Sequence, residues 1–322
     1  MVLALIGATG LVGQEVLKCL PLHMASGLSL DILPVASQES MGRSVSFLGK
    51  SYEICRIEDA LRQKPGMAIF SAGHTLSRLW APRFAKAGAV VVDNSSAWRM
   101  DKHVPLLIPE INAKSYRDHT LIANPNCATI QLLMALYPLH MLWGLSKIIV
   151  STYQSVSGAG ADAYAQWQAE LAGKQAKQSL PAKIHANVIP QIGTHLDNGY
   201  MDEEEKIIME SRKILDLPDL AAHATCVRVP VHRGHAISVY AQFKTNTNLK
   251  DARQTLMKAP GIVVNEPYNC PIDVSNSDDV YVGRLRKIEQ DNKALALWVV
   301  ADNLRKGAAT NAIQCLKMIK KL

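Results

Sequence analysis

The stretch Val2-Leu-Ala-Leu-Ile6-Gly7-Ala-Thr9-Gly10-Leu11-Val12-Gly13 decides the fold. Its first five residues are apolar and read as a buried strand. A GxxGxxG turn follows, and Leu11–Leu22 then reads as a helix. Glycines let a backbone turn tightly and approach a pyrophosphate, which then rests on a helix N-terminus. The turn therefore makes Gly7, Thr9, Gly10, Leu11, Val12 and Gly13 candidates for holding a dinucleotide. A tight strand-to-helix turn with no ligand is the alternative. The second apolar run, Leu28–Ala36, ends at Ala36-Ser37. An NAD-selective fold carries an acidic residue near that end, for the ribose 2′-hydroxyl. Here Ser37, Ser40 and Arg43 suit a 2′-phosphate better, and Glu39 among them argues the other way.

Outward from this unit the alternation continues. Ala68–Ser71 reads as a strand, about Thr75–Ala87 as a helix, Val90–Asp93 and Leu121–Ala123 as strands, and Ala128–Leu142 as a helix. Strand–helix alternation implies a parallel sheet with helices on both faces. After about Lys147 the pattern changes. Ile148–Gln154 is a strand, Ser157-Gly-Ala-Gly160 leads into a helix through Gln168, and Lys174–Lys183 is a polar loop. Asp202–Leu215 is a charged helix with its acidic run at the start, where the helix dipole favours it. Thr225–Val231 and Ala236–Phe243 are strands joined around Arg233-Gly234. In the latter, Ile237, Val239, Ala241 and Phe243 alternate with Ala236, Ser238, Tyr240 and Gln242, as in a half-buried antiparallel strand. Val280–Lys287 and Ala294–Ala301 are two more strands, and Asn303–Leu322 is helical. The fold class is thus α/β: a Rossmann-like parallel-sheet domain plus an α+β domain with a largely antiparallel sheet.

Bulk properties narrow the function. With 322 residues, the chain has room for two domains. Its six cysteines are scattered without a CxxC pair. This disfavours a zinc ribbon or thioredoxin motif and fits a reducing compartment. No metal site is expected. The N-terminus lacks a basic leader segment, and no apolar run approaches the ~20 residues of a membrane span. A cytoplasmic protein without membrane contact is expected. The net charge of +7 favours anionic ligands only in a general way; spread along the chain with no basic–aromatic cluster, it reads as a solvated surface with a mild positive bias rather than a nucleic-acid face.

A second informative stretch is Asn124-Pro-Asn126-Cys127-Ala-Thr-Ile-Gln131, where a strand gives way to an apolar helix. A helix N-terminus carries partial positive charge and free N–H groups. A cysteine there is pushed toward thiolate, and the same N–H groups suit an oxyanion formed by its attack on a carbonyl. The alternative is a small buried thiol that fills space.

Taken together, Gly7–Gly13, Phe70-Ser-Ala-Gly73, Val92–Arg99, Asn124–Cys127, Thr152–Gly158, Cys226–Pro230 with Gly234-His235, and Ala301–Gly307 resemble aspartate-semialdehyde dehydrogenases nearly end to end. The resemblance implies NADP-dependent reductive dephosphorylation of L-aspartyl-4-phosphate to L-aspartate 4-semialdehyde, at the branch toward lysine, threonine and methionine. It implies a homodimer or homotetramer. It further implies an NADP-binding domain over residues 1–126, with helix 303–322 packing back on it, and a catalytic and dimerisation domain over 127–302. The family's nucleophile falls on Cys127, its acid–base histidine on His235 and its active-site glutamine on Gln154. The substrate-carboxylate arginine falls on Arg228. Phosphate contacts fall on Arg99 and Lys206 with Asn126 nearby, and the acidic contact near the substrate amine on Glu203. Further cofactor contacts fall on Ser71, Ala72, Gly73 and Asn303.

Without the resemblance, each residue has a plainer reading. His235 is one of ten histidines, Lys206 follows an acidic run as a surface cation would, and Gln154 at a strand end could cap backbone. Arg228 on an apolar strand needs an anionic partner if buried, whether structural or ligand. Three positions depart from the family pattern: Glu39, which weakens NADP preference or allows NAD, His74 and His232. Alternatives to the leading reading are a same-fold reductase of another acyl phosphate or acyl-CoA, and a non-catalytic paralogue.

Overall fold

The computed structural model describes residues 1–25 and 27–320. The first part of the chain runs β1 (Val2–Ile6), α1 (Leu11–His23), β2 (Asp31–Val35), β3 (Ser44–Phe47), β4 (Lys50–Glu53), α2 (Ile57–Arg62), β5 (Met67–Phe70), α3 (His74–Lys86), β6 (Val90–Asp93), α4 (Pro109–Asn112) and β7 (Leu121–Ala123). It continues α5 (Cys127–Trp143), β8 (Leu145–Gln154), α6 (Ala161–Leu171), α7 (Asp202–Leu215), β9 (Ala221–Arg228), β10 (His235–Phe243), α8 (Leu249–Lys258) and β11 (Ile262–Val264). It closes with β12 (Val280–Ile288), β13 (Asp291–Ala301) and α9 (Thr310–Lys320). Two compact units result: Met1–Asn126 with Ala308–Leu322, and Cys127–Gly307.

The first unit is a five-stranded parallel sheet in the order β2-β1-β5-β6-β7. Its strands are short apolar runs whose alternate residues serve opposite faces. Leu3 and Leu5 point to a core shared with Val16 and Leu20 of α1 and Ile313 and Leu316 of α9. Ala4 and Ile6 point to a core with Phe70, Ala81 and Phe84, where the two phenylalanine rings meet edge-on at 5.5 Å. Burial on both faces explains why these strands read as unbroken apolar runs.

The second unit holds a six-stranded mixed sheet, β11-β12-β13-β10-β8-β9. The pairs β8–β10, β10–β13 and β12–β13 are antiparallel, and β8–β9 and β11–β12 are parallel. Helix α5 packs on β8, β10, β12 and β13, while α7 covers β9. Along β8, Ile148, Val150, Thr152 and Gln154 are buried. Ile149 and Tyr153 on the other face remain 42% and 39% exposed.

Several expectations need adjustment. The second strand is only Asp31–Val35, the five residues that pair with Val2–Ile6 of β1. The strand expected at Thr225–Val231 runs Ala221–Arg228 and ends before Pro230, which has no N–H to donate to a ladder. In the sheet β8 lies between it and β10. The C-terminal helix does not start at Asn303. A wide turn at Arg305–Ala309 precedes α9, and residues 321–322 lie outside the described residues. The hairpin β3–β4 was not foreseen. Its two-residue turn places Leu48 at φ +49° and Gly49 at φ +76°, a mirror-image turn whose first position carries none of the usual Asn or Asp signal.

Candidate active site

In the first unit, the C-terminal ends of β1, β2 and β5 border a cavity of about 620 Å³. Gly7, Thr9, Gly10, Ser37, Ser71 and Ala72 line it. The turn is built so that no side chain intrudes. Gly7 sits at φ +87°, and a Cβ there would lie 2.5 Å from the Ser71 carbonyl oxygen. A Cβ at Gly13 would come within 2.1 Å of the Gly7 oxygen. Gly13 therefore closes the turn from behind and does not line the cavity. Leu11 and Val12 form the first turn of α1, with Val12 packed on the core. Gly73, at φ +88°, caps α3, and Ser40 is buried with its N–H donated to the Ser37 oxygen. Glu39 is exposed and lines no part of the cavity, whereas Arg56, which no motif singled out, does. This glycine-cleared cradle at the strand ends fits a dinucleotide.

Two predicted phosphate residues also belong to this unit. Arg99 is 9% exposed and donates from Nε to the Asn124 oxygen (3.0 Å) and from Nη2 to the Asn94 oxygen (2.8 Å). Asn126, buried, is the last residue before α5. His74 opens α3 with Nδ1 3.4 Å from the Ser96 hydroxyl.

The second unit gathers Gln154, Glu203, Arg228 and His235. Gln154 and Arg228 end adjacent parallel strands and are register partners. Gln154 Nε2 donates to Glu203 Oε1 at 3.2 Å. Arg228 is 4% exposed and donates from Nη1 to the Ser155 oxygen at 2.7 Å. Burial lowers its pKa, while Glu203, Cys127 and Cys226 pull it up, so the Cys127 sulfur lies within electrostatic reach of the guanidinium. His235, the first residue of β10, is fully buried. Its Nδ1 accepts the Ser155 N–H at 3.1 Å, and its Nε2 makes no hydrogen bond among the described residues. Burial first, and the Arg228 charge second, hold its pKa down to about 3. The imidazole is therefore neutral near pH 7, with its proton on Nε2.

Gly158 fixes how close these groups come. A Cβ there would lie 3.0 Å from Arg228 Nη1, from His235 Cε1 and from His235 Nε2. A buried donor and a buried cation thus converge over a bare backbone position. Asn303 secures this arrangement. Its Oδ1 accepts from Ser155 Oγ (3.1 Å), Ser157 Oγ (3.3 Å) and the Gly234 N–H (2.9 Å). The residue expected to touch cofactor thus spends its carbonyl on the turns around His235.

Cys127 opens α5, half-buried and reduced. Gly307 packs against it so tightly that a Cβ at 307 would meet the Cys127 Cβ at 2.9 Å. Asp302 holds that segment in place. Its carboxylate accepts from Arg233 Nε (2.6 Å) and from the N–H groups of Asn276, Leu304 and Arg305. Lys206 is not an unpaired cation: Nζ bonds Asp202 and stands 3.6 Å from Glu203. Any phosphate it gathers must compete with two carboxylates. Cys226 is buried, and desolvation with the nearby Glu203 charge pushes its thiol far up, as expected of a packing residue. His232 packs on Tyr164 and Trp167 at 4.7 and 6.0 Å between centroids.

Sequence reasoning attached no role to Ser155, Gly158, Asp302 or Gly307. Their functions are contacts between distant segments, which a local motif does not encode.

The semialdehyde dehydrogenase NAD binding domain family matches residues 2–119, and the semialdehyde dehydrogenase dimerisation domain family matches residues 136–306. The aspartate-semialdehyde dehydrogenase of Aquifex aeolicus is 42% identical, with 99% of this chain and 97% of that one covered. That of Bacillus subtilis is 41% identical with the same coverage. Among solved structures, aspartate semialdehyde dehydrogenase II from Vibrio cholerae, complexed with ASA, superposes with a TM-score of 0.94 at 38% identity, covering 99% of this chain and 98% of that one. The relatives indicate an oxidoreductase, and among the described residues no helix is long and apolar enough to cross a membrane. Matched in both units and along nearly its whole length, the chain belongs to the aspartate-semialdehyde dehydrogenase family.

Proposed function

We propose that the chain catalyses NADPH-dependent reductive dephosphorylation of L-aspartyl-4-phosphate to L-aspartate 4-semialdehyde through a thioester on Cys127, in the biosynthesis of lysine, threonine and methionine. The observation that carries this reading is the convergence of Arg228 and His235 over Gly158, beside the Gln154–Glu203 pair. The Vibrio cholerae relative binds ASA, which supports the substrate class.

Cys127 attacks the acyl carbonyl as thiolate, its charge favoured by the N-terminus of α5 and by Arg228. The tetrahedral oxyanion collapses with loss of phosphate and leaves a thioester, splitting one difficult step in two. When bound, NADPH supplies the hydride that reduces this thioester. The resulting thiohemiacetal oxygen collapses with cleavage of its C–S bond, which releases the aldehyde and returns the electron pair to Cys127. His235 serves these steps chiefly as a donor: with Nδ1 occupied by the Ser155 N–H, Nε2–H is the group available to a developing oxyanion. This narrows the acid–base role implied by the resemblance. Arg228 offers a fork for the substrate carboxylate, and Glu203 a carboxylate for its ammonium. Phosphate charge falls to Arg99 and Lys206. A homodimer or tetramer fits the uncovered sheet face bearing Ile149 and Tyr153, and the site chemistry suits the cytoplasm.

The test supplies aspartate semialdehyde, phosphate and either NADP or NAD, and follows formation of reduced cofactor. Phosphate-dependent turnover supports the reading. No turnover with either cofactor overturns it, and phosphate-independent turnover transfers the assignment to an acyl-CoA reductase.

A further inference from the structure

The cofactor cavity contains a cation that neither the glycine turn nor the family motifs account for. Arg56 lines it together with Ser37 and Gln38. Its place is set by the backbone. The Cys55 N–H donates to the Pro34 oxygen at 2.9 Å, and Cys55 bridges Val35 in parallel, extending the sheet past β2. Arg56 is thus one residue beyond the neighbour of Val35, and Ser37 is two residues beyond Val35. The end of this strand is where a nucleotide-binding sheet meets the ribose 2′ position. The Arg56 guanidinium is exposed and makes no hydrogen bond or ion pair among the described residues. The cation the sequence offered for this task, Arg43, does not line the cavity, and neither does Glu39.

We infer that Arg56 is the residue that selects a dinucleotide bearing a 2′-phosphate, with Ser37 beside it as hydroxyl donor. The inference rests on the dinucleotide reading of the cavity and names which side chain sets its preference. A guanidinium matches a phosphate with paired N–H donors, and an exposed one is free to turn onto it. Glu58, also on the cavity lining, opposes an added dianion, so it limits the preference. Glu39, on the outside, does not.

The full-length protein is titrated with 2′,5′-ADP and with 5′-AMP, two probes that differ at the 2′ position, and binding is read by calorimetry. The parent binds 2′,5′-ADP more tightly. Arg56→Ala loses at least about tenfold in affinity for 2′,5′-ADP, with 5′-AMP held within about twofold, and the difference shrinks as salt is raised. Arg56→Lys keeps part of it, Glu58→Gln tightens 2′,5′-ADP, and Arg43→Ala and Glu39→Gln leave both probes unchanged. Equal binding of both probes by the parent, or an Arg56→Ala variant that keeps its parent's ratio, overturns the inference. If neither probe nor either dinucleotide binds, the dinucleotide reading itself falls.

Discussion

The backbone N–H of Ser155 donates to Nδ1 of His235 at 3.1 Å, so a main-chain group chooses the tautomer of a buried histidine. Nε2 is then the protonated nitrogen. It lies over Gly158 and has no hydrogen-bond partner among the described residues.

This burial has a pH signature. The His235 pKa falls from its ordinary 6.5 to about 3 on folding, so between these values the unfolded chain binds a proton that the folded chain refuses. Stability conferred by the neutral ring is full above pH 6.5 and is lost as pH falls toward 3. The slope from this one group approaches about 1.4 kcal/mol per pH unit. Urea unfolding from pH 7 to 4.5 should show a shallower loss in His235→Gln than in the parent. Parallel slopes would count against a buried neutral imidazole.

Gly158→Ala places a methyl 3.0 Å from Arg228 Nη1 and His235 Nε2. The two side chains must yield by a few tenths of an ångström. On the proposed roles of Arg228 and His235, such a displacement is costly, and kcat/KM should fall roughly tenfold or more. Affinity for cofactor should hold, because the first unit is untouched. A variant with parental kinetics would show that the site tolerates a side chain there.

Arg228→Lys keeps the charge and loses the fork. KM for aspartate semialdehyde should rise about 10- to 100-fold, equivalent to one charged hydrogen bond of about 1.5–3 kcal/mol. An unchanged KM with reduced kcat would move Arg228 from carboxylate binding to a role confined to the transition state.

Cys127→Ala should abolish turnover while cofactor still binds. In the parent, rapid quenching with aspartyl phosphate and no cofactor should add an acyl mass to the peptide containing Cys127. Product formation without that adduct would remove the thioester from the reaction.

Gly307→Ala should cost about 1–3 kcal/mol in urea unfolding, the usual penalty for overpacking, because its methyl would meet the Cys127 Cβ at 2.9 Å. Its thiol should also change in reactivity toward iodoacetamide. Parental stability and reactivity together would mean the Arg305–Ala309 turn shifts freely.

The sequence by itself determined the parallel sheet and the glycine turn that follows its first strand, and it placed Cys127 at a helix start. Unbroken apolar runs, glycine spacing and the placement of Cys127 at a helix start are local properties, set by neighbours a few residues apart. The hydroxyl and charge pattern after β2 was also visible, but not which of its members faces the cavity. Ser37 does. Ser40 turns inward, Arg43 and Glu39 stay outside, and Arg56 arrives from the next segment because Cys55 pairs with Val35. Only tertiary structure joined Ser155 to His235 across 80 residues of chain, set Asn303 behind both, and tied Lys206 to two carboxylates. Hydrogen-bond direction and burial between distant segments fix a tautomer and a pKa, and neither is encoded in local spacing.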